Sequence, residues 1–192
     1  LTGKLLPMSI EHSQKIRTNS NGQPATCLVT GATGYIGGRL VRELLIAGYK
    51  VKVLARFPDR LRDMAWIDQV EVISGDALNI SDVNRAMQNV DVAYYLLHAL
   101  NQGPEFVDIE TKMAQLFAES AKNNNVQKII YLGGLIPKQV LSQHLESRKV
   151  TGEILRNSGV PTIELRAGVV IGSGSASFEM LLYLTERLPI MI

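Results

Sequence analysis

Gly31, Gly34 and Gly37 stand at three-residue intervals in "LVTGATGYIGGRLVREL", between a β-branched run and an amphipathic stretch. Few local patterns restrict a chain more. In the arrangement G-x-x-G-x-x-G each glycine does something different. The first permits a tight turn, the second lets backbone amides approach an anion, and the third lets the helix pack closely on the strand. The helix that starts there turns its free N–H groups and partial positive charge toward that anion. The stretch therefore reads as the strand, turn and helix that open a βαβ unit, with a pyrophosphate cradle at the turn.

The rest of the chain repeats this alternation. The runs "TCLVT", "KVKVLA", "VEVIS", "DVAYYLL", "KIIYLG" and "TIELR" are almost continuously apolar, as strands covered on both faces are. Between them the spacing predicts helices over Tyr35–Ala47, Asp59–Asp68, Ile80–Gln88, Pro104–Asn123, Val140–Asn157 and Ala176–Arg187. The expected class is α/β: a Rossmann fold, a doubly wound parallel sheet with helices on both faces. Residues 1–24 read as a flexible N-terminal tail and residues 25–192 as one dinucleotide-binding domain. The ending "LPIMI", directly after a helical stretch, leads us to expect a truncation before a C-terminal substrate portion.

Composition removes other classes. The net charge is +2, with basic residues scattered, so no nucleic-acid footprint stands out. No apolar run approaches the roughly 18 residues of a spanning helix, and the first two dozen residues lack the apolar core of a secretory signal. The single cysteine, Cys27, lies in an apolar strand and points to a reducing, cytoplasmic setting. No metal site is expected. The partners expected are a dinucleotide and a small-molecule substrate.

Which dinucleotide is decided at the end of the second strand, where an acid would bind the ribose 2′-hydroxyl of NAD. Here "VLARFPDRL" puts Arg56 in that place with Arg60 four residues on, which favours the 2′-phosphate of NADP while leaving NAD open. After the third strand, "SGDAL" places Asp76 either to accept a bond from an adenine amino group or to shape a turn.

With "TGATGYIG", "LAR", "GDALN", "KIIYLGGL" and "TIELRAGVVIGSGSASFE" in this order, residues 25 onward resemble the short-chain dehydrogenases/reductases, in their atypical, NmrA-like, NAD(P)-binding branch. The resemblance implies that Thr30 with Gly31, Ala32, Thr33, Gly34, Tyr35, Ile36 and Gly37 cradles the pyrophosphate. It implies that Arg56 faces the 2′-phosphate, that Asp76 and Ala77 flank adenine, and that Leu97 and His98 border the nicotinamide ribose. Arg166 to Val169 would line the substrate side. Active relatives carry a serine after the fifth strand and a Tyr-x-x-x-Lys pair on the next helix; this chain has Gly133 and Gly134 at the first place and lacks the second.

On that next helix, "QHLESRK", the phase of Leu141, Leu145, Gly152 and Leu155 brings Arg148 onto the inner stripe and His144 to its edge, with Glu146 and Lys149 outside. His144 and Arg148 keep the spacing of the missing Tyr and Lys, so they are the candidate catalytic pair, the histidine donating a proton and the arginine holding an anion. A packing histidine beside a structural ion pair is the plainer alternative. The function expected is that of an NADP-dependent oxidoreductase or epimerase-like protein of unknown substrate, or else of a non-catalytic NADP(H) sensor or assembly subunit.

Overall fold

Runs rich in Val, Ile, Leu and Tyr belong inside a sheet covered on both sides, and in the computed structural model of the chain the inner strands are so covered, whereas Ile163 and Leu165 of the last run stay exposed at the sheet edge. It describes residues 18–98, 106–135 and 142–168, with Val170, Gly172 and Tyr183. The tail over residues 1–17, the helix expected over Ala176–Arg187 apart from Tyr183, the start of the helix expected from Pro104, and Val140 and Leu141 lie outside the described residues.

The strands are β1 (Thr26–Thr30), β2 (Lys50–Ala55), β3 (Glu71–Ser74), β4 (Val92–Tyr95), β5 (Lys128–Gly134) and β6 (Thr162–Ala167). They form one sheet in the order β3-β2-β1-β4-β5-β6, with every pairing parallel. The helices are α1 (Tyr35–Ile46), α2 (Ile80–Met87), α3 (Phe106–Asn123) and α4 (Gln143–Arg156). Val41 and Leu44 of α1 pack on one face with Cys27, Val29 and Val53. Residues of α2, α3 and α4, among them Val83, Phe117 and Leu155, pack on the other with Leu28, Ala93 and Ile129. This is the doubly wound Rossmann architecture expected.

Winding runs outward from β1 to β3 and then returns to β4 on the other side of β1. The chain therefore parts at the C-terminal ends of β1 and β4 and leaves a crevice there. Thr30 ties its rims together: its Oγ1 donates to the Tyr94 carbonyl at 2.9 Å and accepts from the Leu96 amide at 3.3 Å.

Two expectations change. In place of a helix over Asp59–Asp68 there are two short 3₁₀ turns, Pro58–Leu61 and Ile67–Gln69. Leu61 and Trp66 are both buried, and residues five apart would lie about 140° apart around an α-helix, so a continuous helix here would expose one of them. On α4 the buried residues are Ser147, Thr151, Gly152 and Leu155, which rotates the inner stripe away from Leu145 and Arg148, both half-buried. The cause is a polar contact between α3 and α4, described below.

Candidate functional site

The three glycines differ in what holds them as glycine. Gly31 has φ +75°, and a Cβ there would lie 2.7 Å from the Leu96 carbonyl oxygen. At Gly37 a Cβ would lie 2.8 Å from the Gly31 carbonyl carbon and 2.9 Å from the Ala32 Cα. Both positions are closed by the protein's own backbone. Gly34 is different: its φ is an ordinary −82°, and a Cβ would meet only the Gly31 oxygen, at 3.3 Å. A side chain at Gly34 would press on that one backbone oxygen, so the fold restricts this position less than Gly31 or Gly37. Gly34 is also the N-cap of α1, with no side-chain cap and no acid in the first turn, which leaves the positive end of the helix directed at an anion.

The loop forms the floor of a cleft of about 630 Å³, a volume usual for a small-molecule site. Gly31, Ala32, Thr33 and Gly34 line its middle; Arg56, Phe57, Arg60 and Gly75 to Ala77 line the β2 and β3 side, and Leu96, Leu97, His98 and Met113 the β4 side. Of the residues expected from the sequence, Asp76, Ala77, Leu97 and His98 thus come together with the loop and Arg56. Tyr35, Ile36 and Gly37 do not line the cleft; Tyr35 instead lies under the Arg39 guanidinium and touches Gly172.

At the β2 end, two guanidinium groups flank one exposed ring. The Arg56 and Arg60 guanidinium carbons sit 4.9 and 5.1 Å from the Phe57 ring centre. Arg56 also approaches Asp76 Oδ2, at 4.0 Å, with both side chains partly exposed. Asp76 is fixed by its backbone and by a turn: its amide donates to Asp82 Oδ2 at 3.0 Å and its Oδ1 accepts from the Leu78 amide at 2.9 Å. The Asp76 amide is the main reason the Asp82 carboxyl stays below the ordinary carboxylate range, with Arg85 adding to it. Gly75 leaves the space for Asp82, since a Cβ there would lie 2.7 Å from the Asp82 Cβ.

At the β4 end a partly exposed histidine meets a buried carboxylate. His98, whose side chain is 27% exposed, directs Nδ1 at Oε1 of Glu110 on α3, 3.5 Å away, where the carboxylate side chain is only 3% exposed. The other carboxylate oxygen accepts a hydrogen bond from Ser147 on α4. This contact turns Ser147 into the interior and sets the phase of α4. His144 packs edge-on against His98 with ring centres 6.3 Å apart, and its buried Nδ1 has no hydrogen-bond partner among the described residues. Burial holds the His144 imidazole below its ordinary pKa, and the charge of Arg148 lowers it further against the pull of Glu110.

Arg148 donates from NH1 to the Leu132 carbonyl at 2.9 Å, and its own carbonyl accepts from the Tyr131 hydroxyl at 3.0 Å. His98 lines the cleft, whereas neither His144 nor Arg148 is among its lining residues; Glu146 and Lys149 form an exposed pair at 3.5 Å. Arg166 is held by Glu164, 3.0 Å away, and Val169 lies outside the described residues. Gly133 leaves the space for the same Glu164, since a Cβ would come within 2.8 Å of its Oε1.

Sequence reasoning passed over Phe57, Glu110 and Ser147. Glu110 had a readable signal: it stands in phase with Ala114, Phe117, Ala118 and Ala121, so the buried stripe of α3 begins with an acid. Ser147 stands likewise in register with Thr151 and Leu155. Among the described residues no helix is long and apolar enough to cross a membrane.

The family model described as NAD(P)H-binding matches residues 31–170. Cinnamoyl-CoA reductase 1 of Oryza sativa subsp. japonica is 25% identical over 119 residues, covering 59% of this chain and 35% of the rice protein. Among solved structures, the Bordetella bronchiseptica enzyme WbmH in complex with NAD+ superposes with a TM-score of 0.70 at 18% identity, covering 84% of this chain and 62% of that one. The Citrobacter sp. triphenylmethane reductase complexed with NADP(H) gives 0.66 at 21% identity, covering 84% of this chain and 55% of that one. The chain thus spans less than two thirds of the length of each.

Proposed function

Because the chain belongs to the NAD(P)H-binding family, as its resemblance to the atypical short-chain dehydrogenases/reductases implied, we propose that it is an NADP(H)-dependent oxidoreductase. The observation that supports this most is Gly34, the glycine of the three that the fold itself restricts least, at the N-terminus of an uncapped helix and lining the cleft. The residues present fit the group. The loop from Gly31 to Gly34 and the start of α1 receive the pyrophosphate, Arg56 and Arg60 pair with the 2′-phosphate, and Asp76 and Ala77 flank adenine. Leu97 and His98 border the nicotinamide ribose. When bound, the reduced dinucleotide supplies a hydride from its nicotinamide ring.

The chain's own contribution is orientation and proton supply. Leu96, Leu97 and Met113 keep the β4 end of the cleft apolar, which strengthens any charge interaction made there. His144 and Arg148 are read as the wall behind His98, with Arg148 fixing the end of β5 through the Leu132 carbonyl. The lone buried thiol accords with a cytoplasmic setting.

A second reading, a non-catalytic NADP(H) sensor, draws support from Gly133 and Gly134, which stand where active relatives carry a serine hydroxyl. Calorimetric titration with NADPH and NADH tests the shared premise, and we expect NADPH to bind more tightly. Stereospecific transfer of deuterium from labelled NADPH to members of a carbonyl panel separates enzyme from sensor. Failure of both dinucleotides to bind refutes the proposal.

A further inference from the structure

Glu110 is an anomaly that cofactor binding does not explain. It lies on the buried stripe of α3, only 2% exposed, among Met113, Ala114 and Phe117. Desolvating a carboxylate costs several kcal/mol unless partners compensate. Here the partners converge from two directions: Ser147 of α4 donates to Oε2, and His98, on the segment after β4, approaches Oε1 at 3.5 Å. Tyr95 and Tyr131 pack beside the group from the sheet, ring against ring at 5.9 Å, and the buried Tyr95 hydroxyl has no hydrogen-bond partner among the described residues. A purely structural acid has no need of a cleft-lining histidine, yet the imidazole lies between this carboxylate and the cleft.

Resting on the dinucleotide reading above, we propose that Glu110 is a positioning residue that fixes His98 with Nδ1–H toward the interior and Nε2 toward the cleft, making His98 the proton donor to a carbonyl substrate. A carboxylate on one ring nitrogen sets the tautomer and stabilises the imidazolium. His98 then takes the place of the tyrosine that this chain lacks. In the reductive direction the substrate carbonyl carbon gains the hydride of NADPH, its π pair moves to oxygen, and that oxygen takes the proton from Nε2 of the His98 imidazolium. The ring is left neutral with its proton on Nδ1, held by Glu110, and the dinucleotide leaves as NADP+.

The groups that face His98 favour this assignment over His144. From α3 comes Glu110, 3.5 Å away, and from α4 comes His144, ring against ring, with Arg148 charged beside His144. His144 does not line the cleft, whereas His98 does, and burial with the charge of Arg148 holds the His144 pKa below its ordinary value.

The test is nitrogen-15 NMR of the full chain labelled at its three histidines, His12, His98 and His144, with H98Q and H144Q assigning the resonances. At alkaline pH the expected His98 form carries its proton on Nδ1 with a bare Nε2, and adding NADPH moves the Nε2 resonance. E110A should abolish the Nδ1–H preference and S147A should weaken it. E110Q should restore it, because the amide oxygen still accepts from His98 while the amide nitrogen turns to Ser147. If E110A does not fold, the wild-type tautomer and E110Q decide the matter. A wild-type His98 protonated on Nε2, or a Nε2 resonance indifferent to bound NADPH, overturns the proposal while leaving the dinucleotide reading intact. A chain that fails to bind NADPH in a parallel titration overturns both.

Discussion

Replacing Arg56 with alanine should weaken NADPH binding and leave NADH binding alone. The Arg56 side chain is half exposed, and the nearest carboxylate, on Asp76, is 4.0 Å away, so little intramolecular pairing competes with a phosphate. A charge-assisted hydrogen bond is worth about 1.5–3 kcal/mol, and solvent at this exposed rim argues for the lower figure. About 1.5 kcal/mol is roughly a tenfold rise in the NADPH dissociation constant. Arg60 stacks on the same Phe57 ring and keeps part of the attraction, so R56A/R60A should lose more than R56A without the two effects simply adding. The exposed Arg56–Asp76 pair contributes under about 0.5 kcal/mol to folding, so the melting temperature should barely move and the binding loss can be read cleanly. Calorimetry with both dinucleotides at two salt concentrations is the assay, and the gap between them should shrink as salt rises. An equal loss for NADH and NADPH, or none for either, refutes the assignment of Arg56 to the 2′-phosphate.

The glycines should divide by mechanism: G34V keeps a folded chain by circular dichroism but loses dinucleotide binding, whereas G37V, whose Cβ overlaps the Gly31 backbone, lowers the melting temperature as well. Asn79 caps α2 by accepting from the Ser81 and Asp82 amides at 2.9 and 3.4 Å, so N79A should cost about 1 kcal/mol in urea unfolding. Asp82 has its folded pKa lowered; its contribution is present above the unfolded value near ~3.9 and is lost as pH falls through the folded one. Acid unfolding followed by fluorescence should therefore be less steep in D82N. The Cys27 thiol, pushed up to about 12 mainly by burial, should resist maleimide in the native chain and react once urea unfolds it.

What could be read from the residue order is the part set by local chemistry. Strand interiors such as "TCLVT" are apolar or small throughout, so they had to be central strands, and their bounds agree with the structure. The glycine loop needed no distant partner to be legible, because steric exclusion of a Cβ acts within a few residues at Gly31 and Gly37. The stretch Asp59–Asp68 was misread because its burial is set by two core positions, Leu61 and Trp66, that no single helix face contains. The buried polar cluster behind His98 was decided only by tertiary packing. Glu110 and Ser147 are 37 residues apart, and although the helical phase marks Glu110 as an acid on an apolar stripe, its partner is set only when α3 and α4 lie side by side. Helical periodicity brought Leu145 and Arg148 inward because it weighs apolarity alone. The fold turned Ser147 inward instead, because a buried carboxylate needs donors, and the helix that supplies one rotates to reach it.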